Sequence, residues 1–139
     1  MFVLDTNVVS ELRKAHAGKA NPGVSDWASS VPAALMFMSV ISLHELAHGV
    51  LLSERRDPTQ GALLRTWLHN SVTPAFQDRF LPVTPDIALQ AAALHVPDPA
   101  PFRDALIAAT ALCHEMTVIT RNVSDFERFA ELEINNPWT

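Results

Sequence analysis

One cysteine, four glycines and no long apolar run set the first limits on this 139-residue chain. With Cys113 alone, no internal disulfide can form, and a reducing cytosol is the expected compartment. No apolar stretch approaches the roughly 20 residues of a membrane span. The opening Met1-Phe2-Val3-Leu4-Asp5 lacks the basic flank and long apolar stretch of a signal peptide, which again leads to a cytoplasmic expectation. Glycine is too scarce, and too scattered, for a phosphate-cradling loop. Charge is also thin: 18 % of residues are charged and the formal net charge is −5, so the overall basic excess of a passive nucleic-acid binder is missing. An acidic total instead suggests clustered acid, offset by a cation or by a basic partner.

What is present is apolar material, 48 % of the chain, enough for a real core in a single domain spanning residues 1–139. Phe2-Val3-Leu4 reads as a short buried strand that turns at Asp5-Thr6-Asn7 into a helix through Val8, Val9 and Leu12. Gly18 to Gly23 reads as a polar loop, followed by a short helix carrying Trp27. Leu35 to Ile41 is a second strand, after which Ser42 opens a helix ending near Arg55-Arg56-Asp57-Pro58. Leu63, Leu64, Trp67, Leu68 and Val72 then form one apolar stripe. Phe80 to Val83 is a short strand, and Thr84-Pro85 starts an alanine-rich helix with threonine at the cap and proline at the first helical position. Three prolines between Val96 and Pro101 mark the clearest break. Pro101 opens a helix through Asp104, Ile107 and Ala111. Thr117 to Thr120 is a buried strand, Phe126 and Phe129 share a short helix, and Leu132-Glu133-Ile134 is a last strand. Strands alternating with helices predict an α/β domain, a three-layer α/β/α sandwich on a mainly parallel sheet, with ligands at the carboxyl ends of the strands.

Four acids are placed to meet there. Asp5 follows the first strand, Glu45 follows the second, Asp125 lies just past the Thr117 strand, and Asp104 sits near the start of the helix preceding that strand. Clustered carboxylates repel one another and raise each other's pKa values unless a cation intervenes. A hard divalent ion with oxygen ligands resolves this, and such ions activate water and stabilise the leaving oxygen in phosphodiester hydrolysis. Each acid also has a purely structural reading. Asp5 fits a helix cap. Ser42 with Glu45 fits a capping box, as does Ser124 with Glu127 near Asp125. Asp104 fits a complement to a helix N-terminus. The four together, not any one of them, carry the functional reading.

Leu4-Asp5-Thr6-Asn7-Val8-Val9-Ser10-Glu11-Leu12, Asp104-Ala105-Leu106-Ile107-Ala108-Ala109-Thr110-Ala111 and Thr120-Arg121-Asn122-Val123-Ser124-Asp125-Phe126 resemble, in order and spacing, the three signature blocks of the VapC-type PIN-domain toxins. Ser39 to Leu46 resembles the block around that family's second acid, and Asn136-Pro137-Trp138 resembles a common ending. The resemblance implies a PIN-like fold and a Mg2+-dependent RNA endonuclease, with Mn2+ an alternative ion. It implies that Asp5, Glu45, Asp104 and Asp125 form the catalytic metal site, supported by Thr6, Asn7, Thr120 and Asn122. It also implies an RNA substrate, a cognate VapB-type antitoxin and a homodimer. Arg13, Lys14 and Arg121 lie near the expected site edge and are the best candidates to hold RNA phosphates; Arg55, Arg56 and Arg103 are weaker ones. One stretch departs from the family pattern. Val96 to Arg103 is short and proline-rich where a glycine-containing loop is usual, an arrangement expected to shift Asp104 or narrow the RNA path.

Two other readings compete. His44-Glu45-Leu46-Ala47-His48 is a literal H-E-x-x-H, the pattern of a zinc metalloprotease helix, but no third ligand follows it and it leaves Asp5, Asp104 and Asp125 unused. A catalytically degenerate PIN-fold binding module would use the carboxylates only as caps. A phosphatase of the haloacid-dehalogenase type is disfavoured because Asn7 stands where a second aspartate is needed. Cys113, on an apolar helix, is expected in the core rather than as a nucleophile.

Overall fold

Phe2-Val3-Leu4, an apolar run of only three residues, takes the centre of the sheet. The computed structural model describes residues 1–139. Strands β1 (Phe2–Leu4), β2 (Met36–Ser39), β3 (Phe80–Leu81), β4 (Thr117–Ile119) and β5 (Ile134–Asn135) pair in the order β3-β2-β1-β4-β5, all parallel. Between and after them run α1 (Thr6–Leu12), α2 (Pro22–Ser30), α3 (Val40–Arg56), α4 (Pro58–Trp67), α5 (Thr73–Ala75), α6 (Pro85–Ala93), α7 (Phe102–His114) and α8 (Val123–Phe126). No helix is long and apolar enough to cross a membrane.

Alternation along β1 divides the core into two layers. Leu4 packs with Val8, Val24, Met36, Met38, Leu46 and Ile119 on one face of the sheet. Val3 packs with Ile107, Ala108, Ala111, Val118 and Phe126 on the other. Helices therefore cover both faces, as the predicted α/β/α sandwich requires. Helix α7 is buried continuously from Asp104 to Ala111 because its alanines let it sit close between the sheet and Ile87 and Ala91 of α6.

The chain runs outward from β1 to β2 and β3, then returns to β4 on the other side of β1. The direction of winding thus reverses between β1 and β4. The loops leaving these two strands diverge there and open a crevice at their carboxyl ends.

Several local expectations are corrected. Helix α3 begins at Val40, not Ser42, because Ser39 ends β2 in extended geometry and its Oγ accepts the Ile41 N–H at 3.0 Å. Ser42 is instead fully buried with an unpartnered hydroxyl, so the Ser42–Glu45 capping box does not form. Pro22 and Gly23 are helical rather than loop, since Asn21 Oδ1 accepts the Gly23 and Val24 N–H groups. Gly23 has a further reason to lack a side chain: a Cβ there would lie 2.3 Å from the Pro137 carbonyl oxygen. Leu63 leaves the predicted stripe and is exposed. The contact face runs instead through Gly61, Leu64, Leu68 and Val72, with Gly61 against the Glu54 backbone and a π turn over Leu68–Val72 carrying the last two inward. The last strand lies at Ile134–Asn135 rather than Leu132–Ile134, in register with Val118 and Ile119. Phe129 follows α8 rather than sharing it, and Cys113 faces outward, not into the core.

Candidate active site

Asp5 is the first residue past β1 and is fully buried. Its backbone N–H continues the sheet by donating to the Ile119 carbonyl at 2.9 Å. Its side chain does two jobs. Oδ1 accepts the Thr6 N–H at 2.8 Å and so caps α1. Oδ2 accepts the Thr120 hydroxyl at 2.8 Å and the Asn7 amide at 3.3 Å. Thr120, fully buried at the end of β4, accepts in turn from the Asn122 N–H at 3.0 Å, and Asn7 Oδ1 accepts the Arg121 N–H at 3.3 Å. The four predicted supporting residues therefore lie around the crevice: Thr120 and Asn7 bond Asp5, Asn122 bonds Thr120, and Thr6 donates its hydroxyl to Glu45 at 3.3 Å.

Asp104 reaches the same crevice from the first turn of α7 and is buried. The proline-rich stretch before it does not carry it away: Pro101 is the residue before the helix and sets its start. Burial pushes the Asp104 carboxyl above its ordinary pKa. A hydrogen bond from Arg103 opposes this, and the nearby charges of Asp125 and Asp5 add to it. Glu45, one and a half turns into α3, is half-buried. Asp125 differs from the other three. It is exposed on the one-turn α8 and makes no side-chain bond to this group; its charge is felt there only as repulsion that raises the Asp104 pKa.

At the centre of the acids stands Arg103. Its Nη1 donates to Asp104 Oδ1 at 2.7 Å, its Nη2 donates to Asp5 and its Nε donates to Glu45. Burial opposes its charge, but the Asp5 and Glu45 carboxylates outweigh that and hold its pKa above the ordinary value. In this arrangement no three His, Cys, Asp or Glu side chains converge as a ready-made metal cage, because three carboxylates surround a guanidinium. The donor set nonetheless suits a hard divalent ion: carboxylate oxygens supported by hydroxyl and amide groups, in a buried position that already holds a cation.

Beside the acids opens a polar cleft of about 620 Å³, lined by Thr6, Asn7, Ser10, Glu11, Arg13, Lys14, Glu45, Arg103, Arg121, Asn122 and Trp138. The three basic residues favoured as phosphate contacts, Arg13, Lys14 and Arg121, all face it; Arg55 and Arg56 do not. Arg103, read in sequence as a weak phosphate contact, belongs to the acid cluster. Its place beside Asp104 in the first turn of a helix was the available signal. Trp138 was singled out only as part of an ending, yet its ring forms the cleft wall with the Arg121 guanidinium carbon 5.6 Å from its centroid. Lys14 is drawn to Glu11 at 3.1 Å, and Glu11 also accepts the Asn21 N–H at 2.8 Å. That backbone bond first, then Lys14, lowers the Glu11 pKa.

The H-E-x-x-H motif does not assemble a zinc site. His44 and His48 are exposed with ring centroids 6.3 Å apart, while Glu45 is bonded by Arg103 and Thr6 and no third ligand joins them. Ser10, Glu11 and Trp138 are cleft residues that the sequence reading did not place.

Residues 2–132 match the PIN domain family. The chain is 35 % identical over 143 residues to the VapC ribonuclease Y4jK of Sinorhizobium fredii, covering 99 % of this chain and 98 % of that protein. It is 33 % identical over 144 residues to the toxin FitB of Neisseria gonorrhoeae, covering 99 % of each. The crystal structure of FitAcB from Neisseria gonorrhoeae superimposes with a TM-score of 0.87 at 31 % identity, covering 99 % of each chain.

Proposed function

The chain belongs to the PIN domain family, and from that premise we propose that it is a divalent-metal-dependent endoribonuclease, the toxin of a VapBC-type toxin–antitoxin pair. The observation that carries the reading is that Asp5, Glu45 and Asp104 gather around one guanidinium, that of Arg103, at the switch between β1 and β4. These acids come from three different elements spread over the chain, and helix capping alone gives no reason for them to converge.

In this reading Asp5, Glu45, Asp104 and Asp125 hold the ion, with Asp125 closing the site from its exposed turn. Magnesium is the proposed ion and manganese its substitute, since both accept oxygen donors. When bound, the ion supplies an activated water and countercharge for phosphodiester hydrolysis. Thr120 and Asn7 fix the orientation of Asp5, and ligands held by such outer hydrogen bonds keep their geometry. Arg13, Lys14 and Arg121 line the cleft where an RNA strand would pass; contacts of this type position the backbone without reading sequence. An antitoxin of the VapB type is the partner, and a homodimer the assembly.

The test is cleavage of a mixed structured RNA by the purified protein, free of any partner, with Mg2+, Mn2+ or EDTA. Wild type should cut only with metal, and Asp104→Asn should lose at least about 10²-fold in rate, the scale of removing one key transition-state stabiliser. Cutting that survives the substitution, or that EDTA leaves untouched, would overturn the assignment of the site.

A further inference from the structure

Arg103 is bonded like a ligand, not like a surface side chain. Three separate nitrogens of one guanidinium meet three different carboxylates: Nη1 bonds Asp104 at 2.7 Å, Nη2 bonds Asp5 and Nε bonds Glu45. A hydroxyl, Thr6 Oγ1, accepts a further bond from Nη2 at 3.4 Å. The oxygens that receive these bonds are the ones that would hold a hard divalent ion. Ion and guanidinium cannot share them. Arg103 is also free to leave: its side chain is 30 % exposed and already borders the polar cleft, whereas Asp5 is fully buried and pinned by Thr120 and Asn7.

We propose that Arg103 is a built-in, displaceable counter-cation of this site, gathering Asp5, Glu45 and Asp104 in the metal-free protein and swinging into the cleft when an ion binds. The inference rests on the reading of these carboxylates as metal ligands. Its consequence is that the chain weakens its own metal affinity, because only the fraction of molecules with Arg103 withdrawn can take the ion. A second consequence is that the metal-free protein stays folded around its buried acids, since the guanidinium replaces the missing positive charge.

The experiment measures Mn2+ binding without RNA, counting free ion by electron paramagnetic resonance, for wild type, Arg103→Gln, Arg103→Lys and Asp104→Asn. Arg103→Gln should bind Mn2+ at least about tenfold more tightly than wild type, as removal of a competing unit charge at contact distance predicts. It should also melt at a lower temperature without metal and recover on adding it. Arg103→Lys should fall between the two, and Asp104→Asn should bind least. A second readout needs no substitution: the Arg103 Nε–H resonance of the wild-type protein should be protected without metal and lose that protection as Mg2+ saturates. If Arg103→Gln binds no tighter than wild type while Asp104→Asn has lost the ion, the counter-cation idea is wrong and the metal site stands. A Nε–H signal unchanged through saturation has the same meaning, and decides the matter if Arg103→Gln fails to fold. If wild type and Asp104→Asn bind alike, the metal-site reading has itself failed, and this inference with it.

Discussion

The two sides of the crevice are built on opposite terms. On the β1–α7 side, Asp5 and Asp104 are buried, and Asp5 is fixed by a backbone N–H, a hydroxyl, an amide and a guanidinium. On the β4–α8 side, Arg121, Asn122 and Asp125 are exposed on a turn and a one-turn helix, and Asp125 has no side-chain bond holding it. The first side spends folding free energy to hold charges in place; the second is soft and open to solvent. A site divided this way keeps its anchoring groups preorganised, while its outer groups adjust to whatever enters.

Asp5→Ala attacks the rigid side and should have the largest effect. It removes one proposed metal ligand, uncaps α1, leaves the Thr120 hydroxyl without its acceptor and takes one of three carboxylates from Arg103. Cleavage should fall by at least about 10³-fold, and stability by roughly 2–3 kcal/mol because buried donors are left unpaired; RNA cleavage and urea unfolding measure the two. An Asp5→Ala protein as stable as wild type would mean that this side is not the scaffold described. Thr120→Val keeps the shape but deletes the hydroxyl that orients Asp5. It should cost about 10–100-fold in activity and about 1 kcal/mol in stability, and Thr120→Ser should restore most of both.

Asp125→Asn probes the soft side. Activity should drop about tenfold, while the urea midpoint stays within about 0.5 kcal/mol of wild type, as for a surface change. A large loss of stability there would erase the contrast between the two sides. The smallest effect belongs to Glu11 at the cleft rim. Its pKa is lowered below the ordinary 4.5 in the folded protein, so its ionised form adds stability that is present above pH 4.5 and is lost as pH falls through the lowered value. Glu11→Gln should therefore be less stable than wild type by about 0.3 kcal/mol near neutrality, with the difference vanishing on acidification. Unfolding curves across pH 3–7 (about the range where carboxylates titrate) would show it.

Much of the rigid side was legible in the sequence because it follows from local rules. A short apolar run ending in Asp-Thr-Asn identified β1 and Asp5, and Thr84-Pro85 placed the start of α6 where it is found. Asp5, read both as a cap and as a site residue, caps α1 through Oδ1, while its Oδ2 accepts the Thr120 hydroxyl in the crevice. Failures came where a tertiary contact overrode a local pattern. Val40 and Ile41 read as strand because they are β-branched and apolar, but Ser39 caps them into α3. Leu63 fitted a helical stripe, yet Gly61 against Glu54 sets which face of α4 turns inward. Arg103 could not be placed by periodicity at all, since two of its three carboxylate partners lie 58 and 98 positions away. A charged residue in a first turn reads as solvated until the folded chain brings acids to it.

The central place of β1 has a consequence in time. Residues 2–4 are made well before residues 117–119, their second neighbour in the sheet, and Asp5 well before Thr120. A growing chain that has passed Glu45 but not reached Thr117 holds Asp5 and Glu45 but neither the strand nor the hydroxyl that completes the crevice. A crevice built this way is complete only once residues 117–120 have closed onto the first few residues.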